Sequence, residues 1–273
     1  MSESDKKLTI LGAGNIGVAI ALGLTQSGLY KPSDIILTRR KVDLLSKLQE
    51  KGFLTIKDNL EAIEKSEIIL IAVEPQQIDS VLMEIAPKLI PGKHIVISVV
   101  TGVSIQQMSK KLGNEVDIVR AMPNTAIAIR QSMTCLASSN SKSVAVEKAK
   151  EIFNTVGKAM LIDEELMGSA TALAACGLAF FMRAIRAASQ GGVEIGFHAD
   201  KALLIAAQTA KGAASLLLEN ERHPEYEIDK VTTPRGVTIS GLNQMEHDGF
   251  SSAMIKGIVT SAEKAAGLYK NNS

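Results

Sequence analysis

Tryptophan is absent from this 273-residue chain, and aromatic residues of all kinds make up only 3% of it. Stacking platforms for nucleic-acid bases are therefore scarce, and the core must be built from Ala, Ile, Leu, Val and Met. An excess of one charge is missing too, since 30 Lys and Arg face 29 Asp and Glu. A formal net charge of +1 gives no basic field to draw nucleic acid or an anionic membrane. Cysteine occurs only at Cys135 and Cys176. That spacing makes neither a disulfide framework nor a metal site, and a reduced, cytoplasmic setting suits it. The histidines His94, His198, His223 and His247 are scattered, with no His–carboxylate–nucleophile arrangement in view. Residues 1–5 are short and polar and lead directly into an expected strand, so no signal peptide fits there. One long uncharged run exists, residues 166–182, at the lower length limit of a membrane span. It holds Gly168, Ser169, Thr171 and Gly177 with many alanines, and Arg183 and Arg186 follow at once. A helix buried at a domain or subunit interface is the expected reading, with no membrane partner.

What is present divides the chain in two, as its length suggests. Over the first part, short β-branched runs alternate with amphipathic stretches, the signature of a mostly parallel sheet with helices on its faces. Strands are expected at 7–11, 34–38, 67–73, 94–99, 116–120 and 133–137, and helices near 16–27, 42–50, 75–86 and 104–111. Pro75 suits a first helical position, and Ser104 with Gln107 reads as a capping box. Beyond residue 163 strand-like runs give way to Ala/Leu-rich helical segments at 164–196, 199–220, 239–247 and 250–269, with a break at 220–235. The expected architecture is an α/β Rossmann-like dinucleotide-binding domain, residues 1–163, followed by an all-α domain, residues 164–273. The Ala- and Gly-rich helices suit either an intertwined subunit interface or an ordinary helical core.

The turn Gly12-Ala13-Gly14-Asn15-Ile16-Gly17 follows an apolar strand and runs into a helix, the context a dinucleotide fingerprint requires. The first glycine permits the tight turn, the second admits the pyrophosphate, and the third allows close helix–strand packing. Free N–H groups at the helix start then face the phosphates. An acidic residue roughly 20 positions on would hold the ribose hydroxyl of NAD. The chain instead reads Ile36-Leu37-Thr38-Arg39-Arg40. A hydroxyl and two guanidiniums suit a 2′-phosphate, so NADPH is the expected cofactor, with NADH possible. The plain alternative for the two arginines is a solvated basic corner.

In their order along the chain, several motifs resemble the pyrroline-5-carboxylate reductase family. They are the glycine turn, Asp58-Asn59, Ala72-Val73-Glu74-Pro75, His94-Ile95-Val96-Ile97-Ser98 and, most specific, Arg120-Ala121-Met122-Pro123-Asn124-Thr125. Farther on come Gly191-Gly192-Val193, Glu221-Arg222-His223-Pro224, Val231-Thr232-Thr233-Pro234-Arg235-Gly236-Val237-Thr238-Ile239, and residues 242–250 with Glu246 and Gly249. The resemblance covers essentially the whole chain. It implies reduction of the C=N bond of 1-pyrroline-5-carboxylate to L-proline with NAD(P)H, and a homodimer or higher homo-oligomer formed by the C-terminal helices. It places Thr38 and Asn59 at the 2′-phosphate end, and Ala72, Val73 and Pro75 along the cofactor cleft. Val99, Val100, Thr101 and Asn124 fall toward the nicotinamide. Thr233, Val237 and Thr238 fall around the substrate carboxylate, with Thr171 and Glu221 near the ring nitrogen. Such chemistry calls for orientation and charge stabilisation, with no metal.

The chain departs from the family pattern at three places. The usual Ser-Gly-Ser-Gly-Pro-Ala-Tyr reads Ala174-Ala175-Cys176-Gly177-Leu178-Ala179-Phe180. Glu74 replaces a lysine, and Arg235 replaces a glycine. A lost hydroxyl whose partner stays buried costs roughly 1–3 kcal/mol. An NADP-binding paralogue with an altered imine or keto substrate, or a cofactor-responsive binding protein without catalysis, is therefore the alternative. A β-hydroxyacid-type dehydrogenase is a weaker one, because the cleft lysine of such chemistry is missing.

Overall fold

The computed structural model describes residues 8–270, with side chains described to residue 267. Lys7 and the polar residues 1–5 lie outside the described residues. The chain forms two compact units, one running to Ala175 and including residues from Ser261 onward, the other Cys176–Thr260.

The first unit is built on an eight-stranded sheet. Leu8–Leu11 (β1) turns through Gly12 into Asn15–Ser27 (α1). Ile35–Thr38 (β2) leads to Ser46–Gln49 (α2), and Leu54–Ile56 (β3) to Asn59–Glu64 (α3). Ile68–Ile71 (β4) precedes Ile78–Ile85 (α4), and Ile95–Ser98 (β5) precedes Ile105–Leu112 (α5). Asp117–Met122 (β6), Ser132–Ser138 (β7), Val144–Asn154 (α6) and Gly157–Leu161 (β8) complete it. The strand order is β3-β2-β1-β4-β5-β6-β7-β8, and every pairing is parallel except β6 with β7. β1, β2, β4 and β5 are buried throughout, as strands covered on both faces must be. Successive side chains point to opposite faces, so Ile10, Leu37, Leu70 and Ile97 join one core. Leu11, Ile69, Ile71 and Val96 join the other.

Six strands lie where the sequence places them, with ends shifted by a few residues. β3 and β8 are additional, as are α3 and α6. The helix expected at 42–50 is a 3-10 turn, Val42–Leu45, followed by the single turn of α2. Pro75 opens a 3-10 turn that runs into α4. The capping box at α5 is formed, with Ser104 Oγ accepting from Gln107 N at 3.1 Å and Ser104 N donating to Gln107 Oε1 at 2.8 Å. After β8 come Met167–Ala170 (α7) and a π-helical turn, Thr171–Cys176.

The second unit holds Gly177–Glu194 (α8), Ala199–Asn220 (α9), Pro224–Lys230 (α10), Val237–His247 (α11) and most of Phe250–Lys270 (α12). The break expected at 220–235 thus encloses one short helix, started by Pro224 at its first position. α8 and α9 pack closely: a Cβ at Gly192 would sit 3.1 Å from Ala202 Cβ. Among the described residues one helical stretch, Glu164–Glu194, is long and apolar enough to cross a membrane by length and composition alone.

Candidate active site

Three glycines shape the first connection for three different reasons. Gly12 has φ +92°, and a Cβ there would lie 2.7 Å from Val73 Cγ1 and 2.8 Å from Ala72 O. A Cβ at Gly17 would lie 2.7 Å from Gly12 O, whereas at Gly14 it would meet nothing within 4 Å. The first and third are thus demanded by packing, and the second leaves open space before the helix. Gly12 N and Ala13 N both donate to Thr38 O, at 3.2 and 2.8 Å, which ties the turn to the end of β2. The start of α1 has no side-chain cap and no acidic residue in its first turn. Its N–H groups and positive dipole end are therefore available to a phosphate.

This turn opens on a cleft of about 640 Å³, within the usual range for small-ligand sites. Gly12, Ala13, Gly14, Ala72 and Val73 line it, together with Thr38, Arg39, Arg40 and Asn59. Nine of the residues expected to bind cofactor are thereby brought together. Arg39 Nη1 donates to Ala13 O at 3.2 Å, which lays the guanidinium over the glycine turn. Thr38 Oγ1 donates to Asn59 Oδ1 at 2.7 Å, and Asn59 Nδ2 donates to Glu84 Oε2 at 3.0 Å. Sequence reasoning missed Lys41 and Lys57, which bring the cations of the lining to four against the carboxylates of Glu74 and Glu84. It also missed Gln77, Ser80, Val81 and Glu84 as cleft residues. Their spacing is one helical face, a stripe the sequence does display once α4 is placed.

The remaining expected cofactor residues do not line this cleft. Asn15, Ile16 and Gly17 form the first turn of α1, and Pro75 begins the 3-10 turn after β4. Val99 and Val100 are buried just past β5, and Thr101 is half-buried beside them. Asn124 follows β6 and uses both its amide oxygen and its amide nitrogen within the chain. Its Oδ1 accepts from Ala126 N at 3.1 Å, and its Nδ2 donates to Ala174 O at 3.0 Å. That carbonyl lies within the π-helical turn, where the i→i−4 ladder is broken and a side-chain donor is needed. Thr171 opens the same turn and spends its hydroxyl proton on Met167 O at 2.8 Å, which leaves its oxygen as an acceptor. Nearby, Arg120 is buried and pairs with Glu164 Oε1 at 2.8 Å. The same oxygen accepts from Ile105 N at 2.7 Å.

The other expected catalytic residues belong to the second unit. Glu221 ends α9 in the left-handed region, φ 50°. Thr233 precedes a tight turn in which Gly236 N donates to Thr233 O at 2.9 Å. A Cβ at Gly236 would collide with Thr233 Oγ1. Val237 and Thr238 begin α11, whose N-terminus carries no side-chain cap, so their N–H groups are free to hold an anion.

The strand order reverses between β1 and β4 beside a glycine turn, and the crevice there has a basic rim. This is the arrangement of dinucleotide-dependent oxidoreductases. Residues 7–102 match the family described as NADP oxidoreductase coenzyme F420-dependent, and residues 164–268 match pyrroline-5-carboxylate reductase dimerisation. The chain is 54% identical to pyrroline-5-carboxylate reductase 1 of Dictyostelium discoideum over 98% of its own length, and spans 51% of that relative. It is 50% identical to pyrroline-5-carboxylate reductase 2 of the same organism, covering 97% of this chain and 93% of the relative. Among solved structures, Plasmodium falciparum pyrroline carboxylate reductase with NADP bound superposes with a TM-score of 0.87 at 25% identity, over 98% of this chain and 100% of that one. The chain belongs to the pyrroline-5-carboxylate reductase family.

Proposed function

We propose that this chain reduces the C=N bond of 1-pyrroline-5-carboxylate to L-proline, the last step of proline biosynthesis, with NADPH as hydride donor and NADH as a second choice. The observation that carries the reading is the joining of two features in one chain. One is a glycine-turn cleft with four cations in its lining. The other is 50% identity along nearly the full length of a reductase of this name.

The residues divide the work by hydrogen-bond polarity. The start of α1, with Gly14 open before it, holds the pyrophosphate. Thr38, Arg39, Arg40 and Asn59 receive the adenosine ribose end. When bound, the dihydronicotinamide supplies hydride to the ring carbon. Thr171, whose proton is committed to Met167 O, presents lone pairs suited to the N–H of a ring iminium and of the product amine. Glu221 favours the protonated, more electrophilic imine. The N–H groups of Val237 and Thr238 with the Thr233 hydroxyl bind the substrate carboxylate.

Residues 1–163 form the NADP-binding domain in this reading, and residues 164–273 the dimerisation and substrate domain of a cytoplasmic homodimer or higher oligomer. The apolar stretch Glu164–Glu194 then meets a second copy of the chain, with neither membrane nor nucleic acid as partner. NADPH oxidation in the presence of pyrroline-5-carboxylate tests the assignment, and turnover with proline as product is expected. Intact NADPH binding without turnover would transfer the chain to the alternative of a cofactor-binding paralogue. That outcome would trace to Ala174–Phe180, where the family's hydroxyls are missing.

A further inference from the structure

We propose that Glu84 tunes cofactor choice by fixing which way the hydrogen bonds run at the ribose end of the cleft. The inference rests on the dinucleotide reading above and adds a specificity-determining residue to it. An ionised carboxylate only accepts hydrogen bonds, so the contact of Asn59 with Glu84 Oε2 at 3.0 Å forces the Asn59 Nδ2 toward Glu84. The Asn59 Oδ1 is thereby turned toward Thr38, 2.7 Å away. An amide oxygen also only accepts, so the Thr38 hydroxyl must donate to it. Thr38 is buried and its side chain has a single hydrogen to give. What it presents to the cleft is therefore lone pairs alone.

Two ligands respond to this in opposite ways. A ribose 2′-hydroxyl can donate to Thr38 Oγ1, whereas a 2′-phosphate can only accept and gains nothing there. For Thr38 to donate to the phosphate, Asn59 would have to turn over and set its Oδ1 against the carboxylate of Glu84. Arg39 and Arg40 favour the phosphate by charge, and the Glu84–Asn59–Thr38 relay opposes them. A glutamine at position 84 removes the opposition. Its amide nitrogen can donate to a reversed Asn59, whose own nitrogen then donates to Thr38, which frees the Thr38 proton for the phosphate.

The test compares NADPH with NADH, both as kcat/KM and as Kd from nicotinamide fluorescence. It uses wild type, Glu84→Gln, Thr38→Val and the double variant. Glu84 lies on an exposed helix face, so its replacement leaves folding intact. Glu84→Gln raises the NADPH:NADH ratio about tenfold, the scale of one charge-assisted hydrogen bond. In the Thr38→Val background, where no hydroxyl remains to be redirected, the same change moves the ratio less than about twofold. Thr38→Ser restores the full effect, and Thr38→Ala, which also lacks the hydroxyl, replaces Thr38→Val as the comparison should that variant fold poorly. An unmoved ratio overturns the relay, and so does an equal rise in both backgrounds, which would make Glu84 a bulk charge only. If wild type binds neither dinucleotide, the cofactor reading itself falls. If it binds both and only the ratio disobeys, the role of Glu84 alone is lost.

Discussion

Arg235 occupies a backbone position that its side chain disfavours. Its φ is 59°, inside the left-handed region that costs an L-residue roughly 1–2 kcal/mol, and the family resemblance has glycine there. Glycine relieves that strain but gives the unfolded chain more entropy to lose on folding, about 0.5–1 kcal/mol. Arg235→Gly is therefore expected to stabilise the protein by up to about 1 kcal/mol, read as a higher Tm at fixed protomer concentration. A lower Tm would mean that the guanidinium makes up the difference through its contacts. His94 poses a different problem. It is buried, its Nδ1 accepts from Ile90 N at 3.0 Å, and its Nε2 has no partner among the described residues. Burial first, then the charge of Lys93, push its pKa below the ordinary 6.5, with Glu67 opposing. The unfolded chain thus takes up a proton at a higher pH than the folded one. Stability from this site is complete above about pH 6.5 and is lost as pH falls from there through the folded pKa. Urea titrations at pH 7.5 and 5.5 should show a drop that His94→Asn reduces. An equal drop in the variant would assign the pH dependence to other groups.

Among the elements, the π-helical turn Thr171–Cys176 receives a side-chain hydrogen bond from Asn124, 50 residues earlier in the chain. Asn124 donates to its Ala174 carbonyl and accepts from Ala126 N. Asn124→Asp keeps the second bond and turns the first into two acceptors facing each other. The expected cost is about 1–3 kcal/mol, with NADPH affinity unchanged; denaturant unfolding and fluorescence titration read the two quantities. Intact stability with weakened NADPH binding would place Asn124 on the cofactor instead. This turn was invisible in the sequence because a π-turn differs from an α-turn by one residue and carries no composition of its own. β3 escaped because Leu54–Ile56 is too short to show alternation. β8 escaped because an edge strand with Lys158 among small and apolar residues reads equally well as helix or loop. α3 is announced by Asp58, whose side chain accepts from Leu60 N and Glu61 N, yet Asp58-Asn59 draws the eye as a binding motif. The apolar strands β1, β2, β4 and β5, the glycine turn and the basic Thr38–Arg40 corner were all legible. Each shows a clear local pattern, whereas what was missed is short, ambiguous in composition or overlaid by another signal.

Taken whole, the molecule is unevenly covered. The sheet unit has a core on each face. Between Cys176 and Thr260 the only buried apolar side chain among the described residues is that of Ala202. Phe181, Leu204 and Ile255 lie on three different helices there and are 59%, 69% and 61% exposed. Helices with that little burial do not recover the entropy of their own ordering. Something must cover them. Among the described residues only Glu164–Glu194 passes as a membrane span by length and composition, and the exposed apolar residues continue across α9 and α12. A second copy of the chain can cover all three helices, in line with the dimerisation match over 164–268. Leu204→Glu places a charge on the exposed apolar face of α9, where an interface core tolerates none unpaired. Light scattering should then show the protomer mass where wild type shows at least a dimer. The wild-type Tm should rise with concentration, and that of the variant should not. A fully helical, monodisperse wild-type monomer would overturn this account. The apolar faces would then need a different partner.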